Sequence, residues 1–292
     1  VNDATTLEAF QAVRPRLFGI AYRMLGSATE AEDVVQDAWL RWQATDRAAV
    51  REPAAFLATT VTRLAMNALD SARVRREVYV GPWLPEPVAT TEDPLLGAER
   101  SEALSLAVLL LLERLTPAER AAFVLHEAFD YPYRQVAEVL EVSEANARQL
   151  ATRARAHLDR ERTAAVAPAE QQRLLGALIA AAQNGDLPAL EAVLADDVVA
   201  LSDGGGVALA ARKPVVGRER VAHFLLGVLV KYGADMQIVP VELNGGVGFV
   251  GLRDGELMAA WTIEFGPRGV TRWFSVLNPA KLSHLTVPSG PS

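Results

Sequence analysis

The feature that most restricts the fold of this chain is a change in its hydrophobic spacing. Up to about Leu158 the apolar residues recur at helical intervals; past Asp197 they fall into short runs rich in Val, Phe and Trp, parted by glycine turns. A 3.6-residue period and a strand-like run cannot exchange roles, so helices must come first and a sheet later. At 292 residues the chain has room for about two or three domains.

Residues 1–76 read as helix throughout. In Thr29–Trp42, Val35, Ala38, Trp39 and Trp42 sit at helical spacing, with Glu30, Glu32, Asp33 and Asp37 on or near the other side. Acids in the first turn suit the positive end of the helix dipole. A polar stretch, Gln43–Arg51, leads to Pro53, a residue tolerated at a helix start. Phe56, Leu57, Thr60, Leu64 and Leu69 then carry an apolar stripe to about Arg76.

Residues 78–102 differ. Pro82, Pro85, Pro87 and Pro94 with Glu86, Glu92, Asp93, Glu99 and Glu102 have the composition of an extended linker. Within it, Pro82-Trp83-Leu84-Pro85-Glu86-Pro87 holds a Trp and a Leu in a stiff segment. Two readings stand: it docks on a partner surface, or it folds back on its own domain.

Residues 103–162 return to helix. Thr116-Pro117-Ala118-Glu119 supplies a cap, a first-position Pro and a third-position acid. After Pro132, Arg134–Leu140 is a short helix with Val136, Ala137 and Leu140 inward; Glu141 and Val142 turn, and Ser143 caps Glu144–Asp159. Short helix, tight turn and longer capped helix form a helix-turn-helix, although Glu141 stands where Gly is common. On the longer helix Arg148, Gln149, Thr152, Arg153 and Arg155 avoid or edge the stripe of Ala147, Leu150, Ala154 and Leu158. Such a face enters a major groove, early residues reaching base edges and later Arg reaching phosphates; as a bland alternative it is a solvated, ion-paired surface.

Beyond Pro168 lies an α+β domain: helices at Gln171–Asn184, Pro188–Ala195 and Gly217–Leu229, and strands at Val198–Leu201, Met236–Leu243, Val247–Leu252, Leu257–Phe265 and Val270–Leu277. Gly204-Gly205-Gly206, Asn244-Gly245-Gly246 and Asp254-Gly255 supply turns, and the expected sheet is curved and antiparallel.

Several classes are excluded. With no cysteine there is no disulfide framework, thiolate catalysis or Cys-bound zinc. His126, His157, His223 and His284 show no i, i+4 pair, so neither a metal site nor a cofactor is expected. No apolar run nears the roughly 20 residues that span a bilayer, and Val1–Phe10 does not read as a secretory signal. Net charge is −7, against bulk nucleic-acid affinity. Residues 1–167 carry 19 basic and 24 acidic side chains and residues 168–292 carry 10 and 12, so any DNA-binding surface must be local. It must also be built from Arg, which makes up 26 of the 29 basic residues and suits bidentate contact with phosphate and guanine.

Two segments resemble a known family. Ala31-Glu32-Asp33-Val34-Val35-Gln36-Asp37-Ala38-Trp39-Leu40-Arg41 looks like the core-polymerase-binding helix in region 2 of bacterial sigma factors. Leu115-Thr116-Pro117-Ala118-Glu119-Arg120 and the helix-turn-helix look like region 4. Two helical domains on a short linker resemble the extracytoplasmic-function (ECF) group. Ser71–Glu77 with Tyr79–Pro87 resembles its SigJ-type members, which carry a SnoaL-like, NTF2-like cone. That subgroup has Asp-Gly-Gly-Gly-Lys and Asn-Pro-Asp-Lys-Leu motifs; here Val207 replaces the Lys and Ala280 the Asp.

The resemblance implies a multidomain fold: region 2 at 1–77, a linker at 78–102, region 4 at 103–162, and an α+β NTF2-like regulatory cone at 168–286. It implies a cytoplasmic, non-enzymatic promoter-recognition subunit, with the polymerase core (β′ and β subunits) and promoter DNA as partners and no separate anti-sigma factor. Polymerase contact falls to Asp33, Gln36, Asp37, Trp39 and Leu40. The −10 element falls to Arg47, Arg51, Arg63, Asn67, Arg73, Arg75 and Arg76, drawn from Gln43–Arg76, which has six Arg and only Asp46, Glu52 and Asp70 as acids. The −35 element falls to Arg148, Gln149, Thr152, Arg153 and Arg155. Regulatory contacts fall to Trp83, Leu84 and Pro85 of the linker, the Asp203, Gly204, Gly205 and Gly206 loop, and Asn278, Pro279, Lys281 and Leu282. In the cone no convincing catalytic pair stands out: Asp203 fits a Gly turn, His223 is expected to be packed, and Trp261, Trp273 and Phe274 core. Two alternatives stand beside this reading: a cone that retains small-molecule enzyme activity, and a ligand-sensing helix-turn-helix regulator that works without polymerase.

Overall fold

The computed structural model describes residues 3–90, 104–161, 164 and 166–285, apart from the side chains of 3–6 and 47. The chain divides into two units, Val1–Val78 with Glu92–Glu161 and Tyr79–Thr91 with Arg162–Ser292.

The first unit is helical. Helix α1 (Asp3–Leu25) stops at Gly26, left-handed at φ 66°, and Ser27 caps α2 (Ala28–Ala44) by accepting from the Glu30 N–H at 3.1 Å. A 3-10 turn (Arg47–Ala49) leads to α3 (Pro53–Glu77), which opens with Pro53 as expected. Leu17, Ile20 and Met24 of α1, Val35 and Trp42 of α2, and Leu57, Val61 and Ala65 of α3 are buried together. Helix α4 (Leu106–Leu112), capped by Ser105, is almost wholly buried. Thr116 then forms a full capping box with Glu119 at the start of α5 (Pro117–Phe123), followed by a π-helical turn, Val124–Ala128. Helix α6 (Tyr133–Leu140) ends at Glu141, whose φ of 57° supplies the left-handed turn usually left to glycine. Ser143 accepts from the Asn146 N–H at 3.2 Å at the start of α7 (Glu144–Glu161), completing the helix-turn-helix.

Three arginines, of which Arg23 and Arg120 are buried, tie α1 to the later helices. Arg120, 3% exposed, donates to the Met24 carbonyl at 2.6 Å and to Glu113 at 2.8 Å; burial pulls its pKa down to about 10. Arg16 donates to the Phe129 carbonyl at 2.7 Å, and Arg23 lies 5.0 Å from the Phe129 ring centre.

In the second unit α8 (Pro168–Asn184) ends at left-handed Gly185, and Asp186 caps α9 (Leu187–Val193). Strands β1 (Leu194–Asp203), β2 (Val215–Val216), β3 (Gln237–Leu243), β4 (Gly246–Arg253), β5 (Glu256–Gly266) and β6 (Gly269–Val276) form one sheet in the order β2-β1-β6-β5-β4-β3. Helix α10 (Arg218–Tyr232) follows β2. Asn244-Gly245 and Asp254-Gly255, all with positive φ, turn the β3–β4 and β4–β5 hairpins. Leu174, Leu178, Leu190, Val193 and Val221 pack on Phe249, Ile263, Phe265 and Val270, with Trp261 and Trp273 partly buried against them.

Three expectations need correction. The sheet is mixed, because β1 runs parallel to β6; composition gives no signal for pairing between strands this distant in sequence. The expected Pro188–Ala195 helix stops at Val193, since Leu194 already belongs to β1. His223 is exposed on α10 rather than packed, its Nδ1 hydrogen-bonded to the Glu219 carbonyl one turn back at 2.9 Å.

Candidate functional site

On α2, burial of Ala31, Val34, Val35, Ala38 and Trp42 turns Asp33, Gln36, Asp37 and Leu40 outward. Leu40 is 54% exposed. Trp39 is half-buried, its ring 4.9 Å from that of Phe10, and both edge a cleft of about 270 Å³ between α1 and α2, with Leu7, Val35 and Gln36. The two tryptophans divide the possible roles: Trp42 is core and Trp39 is presented to solvent at one edge.

The −10 candidates do not come together as one surface. Arg51, Asn67, Arg73 and Arg75 are exposed, Arg73 pairing with Glu77 at 3.7 Å and Arg75 with Glu30. The side chain of Arg47 lies outside the described residues. Arg63 is engaged internally: it donates to the Val139 carbonyl at 3.0 Å and the Glu138 carbonyl at 3.1 Å, and pairs with Glu141 at 2.9 Å. Arg76 pairs with Glu113 and donates to the Leu25 carbonyl. Both therefore cap the carbonyl ends of helices α6 and α1, where cations are favoured.

The −35 candidates do share a surface. Arg148, Gln149, Thr152, Arg153 and Arg155 are all exposed on α7, and four of them line one shallow depression with Glu144 and Ala145. Each arginine has a carboxylate beside it: Arg148 has Glu144 at 3.4 Å, Arg153 has Glu119 at 3.0 Å, and Arg155 has Glu127. Glu119 and Glu127 come from α5 and the π-turn, so helical spacing along α7 gave no sign of them. Burial alone would raise the Glu119 carboxyl, but hydrogen bonds from the Thr116 hydroxyl and N–H and from Arg153 outweigh it and hold it below its ordinary value.

The linker and cone residues converge on one buried carboxylate. Asp203 is fully buried. Its Oδ1 accepts from the Tyr79 hydroxyl at 2.6 Å and the Gly205 N–H at 3.0 Å; its Oδ2 accepts from the Leu84 N–H and the Lys281 Nζ, each at 2.8 Å. Only the Gly205 bond is turn chemistry; the other three reach far along the chain. Lys281 also donates to the Leu84 carbonyl, and its ammonium lies 4.3 Å from the Trp83 ring centre and 4.9 Å from that of Tyr79. Burial, then the bond donated to Asp203, keep the Tyr79 phenol above its ordinary pKa and hence a donor. Asn278 caps the short helix α11 (Pro279–Leu282) and donates to the Tyr79 oxygen at 2.8 Å. Leu84 is wholly buried, Pro85 and Leu282 are buried, and Pro279 is exposed. Burying one Leu in this way contributes about 1.5–3 kcal/mol.

Further along, the linker adds to the open edge of the sheet. Ala89 bridges Leu243 antiparallel, the Thr90 N–H donates to the Glu242 carbonyl at 3.2 Å, and Asn244 accepts from the Val88 N–H at 3.1 Å. His284 Nε2 donates to the Pro87 carbonyl at 2.7 Å. The Trp83–Pro87 segment is thus held by the cone, with which it forms one compact unit. Residues 91–102 of the expected linker lie outside the described residues. Glycine matters at two points in the loop: at Gly205 (φ 60°) a Cβ would stand 2.3 Å from Asn278 Nδ2, and Gly206 (φ 74°) faces Val80 closely. The two replaced motif positions are exposed, Val207 at 80%, whereas Asp203, Asn278 and Lys281 are buried.

Comparisons with known proteins fit this layout. The sequence matches the family Sigma-70 region 2 over residues 9–75 and Sigma-70 region 4 over residues 105–158. It is 39% identical over 282 residues to the ECF RNA polymerase sigma factor SigJ of Mycobacterium tuberculosis, covering 87% of this chain and 90% of that one. It is 36% identical over 224 residues to the probable ECF RNA polymerase sigma factor SigI of the same organism, 75% of each chain. The crystal structure of M. tuberculosis SigJ superposes with a TM-score of 0.77 at 37% identity, covering 95% of this chain and 98% of that one. Two helical sigma regions followed by a sheet-containing domain define a sigma-70-class transcription factor. More narrowly, the chain belongs to the ECF RNA polymerase sigma factors and is a homologue of SigJ. A stand-alone helix-turn-helix regulator leaves α1–α3 without a role and is not favoured.

Proposed function

We propose that this sigma factor recruits core RNA polymerase through the outer face of α2, contacts the −10 element through α3 and the turn before it, and reads the −35 element through α7. The cone regulates these steps by gripping the segment that joins the two sigma regions. The observation that carries this reading is the buried Asp203 carboxylate, which binds Tyr79 and Leu84 of that segment together with Lys281 of the cone. A fused regulator of this kind acts at high effective concentration, on the order of millimolar, and makes a separate anti-sigma factor unnecessary. The protein acts by binding, without covalent chemistry, in the compartment that holds polymerase. Among the described residues no helix is long and apolar enough to cross a membrane.

Run-off transcription with core enzyme tests the reading, comparing the full chain with truncations after residues 162 and 277 and with Asp203→Ala. Transcription is expected from the full chain, with an output that changes in all three variants. Output and promoter affinity indifferent to all three defeat the regulatory role; absence of any binding to core polymerase defeats the assignment to α2.

A further inference from the structure

Beneath α7 lies a set of side chains that the roles above leave unused. The Tyr133 ring stacks on His126, with centroids 3.9 Å apart and planes 27° from parallel. The guanidinium of Arg148 also lies over the Tyr133 ring, 5.1 Å from its centroid. His126 is fixed from below, its Nδ1 donating to the Tyr131 carbonyl at 2.8 Å, and its Nε2 lies 3.8 Å from Glu127. The Glu127 carboxylate, only 12% exposed, pairs with Arg155. One connected layer therefore meets both ends of the exposed face of α7, two helical turns apart. The π-turn makes this possible, placing His126 and Glu127, adjacent in sequence, against different parts of the layer.

We propose that Tyr133 and Glu127 are positioning residues that give the two ends of α7 different tasks: Tyr133 fixes Arg148 for base reading, and Glu127 restrains Arg155 from indiscriminate phosphate binding. The inference rests on α7 being the −35 reading helix and deepens that assignment. A guanidinium laid flat on an aromatic face keeps its edge donors free and loses less freedom when it forms a bidentate contact with guanine. With Glu144 at 3.4 Å, Arg148 is steered from two directions. Arg155 has the opposite problem: an unopposed arginine on the later part of a reading helix binds any duplex, because phosphate contact carries no sequence information. A nearly buried carboxylate beside it opposes phosphate and costs non-specific affinity most. In a chain of net charge −7, such local neutralisation raises the ratio of specific to non-specific binding, the quantity that matters on a genome.

The test uses the full chain reconstituted with core polymerase and an upstream duplex selected from a pool randomised across the −35 region. Tyr133→Leu is expected to weaken binding to the selected duplex about fivefold, with no loss on a duplex altered at the base read by Arg148, and to have no effect in an Arg148→Ala background. Tyr133→Phe, which keeps the ring, restores wild-type selectivity. Glu127→Gln is expected to tighten binding to every duplex and to steepen the dependence of log affinity on log salt by about one unit. If Arg148→Ala and Gln149→Ala leave the selected sequence unchanged, α7 is not the reading helix and the proposal falls with that assignment. If Arg148→Ala relaxes one base while Tyr133→Leu keeps full selectivity, or Tyr133→Phe loses as much as Tyr133→Leu, the proposal alone fails. Should Tyr133→Leu not fold, the Glu127→Gln salt slope decides: an unchanged slope overturns it.

Discussion

A single carboxylate carries more of this molecule than its place in a glycine loop announces. Asp203 has four donors around two oxygens and an ammonium as its counter-charge, with no solvent exposure. Removing one partner of a buried ion pair leaves the other uncompensated, at about 3–5 kcal/mol. Asp203→Ala is therefore expected to lower the unfolding free energy of the cone by that order, read from denaturant titration. The double variant with Lys281→Met should recover part of the loss, since no stranded ammonium remains; a double variant as unstable as the sum of the singles would show the pair to be uncoupled. Gly205→Ala makes a separate case. The new methyl meets the Asn278 amide on a backbone at φ 60°, so a loss above about 1 kcal/mol is expected. It should come with faster proteolysis in 79–90, because Asn278 also holds Tyr79.

At the scale of elements, local chemistry was legible and long-range pairing was not. Thr116, Pro117 and Glu119 announce their helix because a capping box is closed within one turn. The helix-turn-helix was legible for the same reason, even with Glu141 in the glycine position, since its two helices differ in length and are parted by a two-residue turn. By contrast, the Glu119–Arg153 and Glu127–Arg155 pairs join separate helical segments. The bond from the Leu84 N–H to Asp203 spans 119 residues. The parallel β1–β6 pairing belongs to the same class, because strand-forming composition says nothing about neighbours. The linker motif was visible as an oddity of composition, and only the family resemblance, not the residues themselves, pointed to the Asp203–Gly206 loop as one of its possible contacts. The capping box yields a measurable consequence. Thr116→Ala is expected to cost about 1 kcal/mol by urea unfolding at neutral pH. The Glu119 carboxyl is held below its ordinary value in the folded state, so its contribution is present above the unfolded value near 4.5. It is lost as pH falls through the lowered folded value. The stability gap between the wild type and Glu119→Gln should accordingly close in acid; a gap that widens there contradicts the assignment.

For the molecule as a whole, the conflict lies between the internal work of Arg63 and Arg76 and their assignment to DNA. In the first unit Arg63 caps α6 and pairs with Glu141, while Arg76 joins Glu113, which also holds buried Arg120. Arg76 and Glu113 are 15% and 19% exposed, where hydrogen bonds to charged groups contribute about 1.5–3 kcal/mol each, whereas the exposed Arg63–Glu141 pair adds about 0–1 kcal/mol to the carbonyl bonds of Arg63. An isolated chain thus keeps these arginines inside, and only a partner with differential affinity for an opened form frees them. Core polymerase, the partner proposed above for α2, is the one to test in that role. The chain has no native cysteine, so dyes at Ala54→Cys on α3 and Ala156→Cys on α7, both exposed, report the separation of these helices by energy transfer. Transfer is expected to fall when core polymerase is added, and to be lower from the outset in an Arg63→Ala, Glu113→Gln background. Transfer unchanged by polymerase at saturating occupancy would mean that Arg63 and Arg76 remain interior ties during initiation. The −10 contacts would then rest on Arg51, Asn67, Arg73 and Arg75, the members of the set that already face solvent.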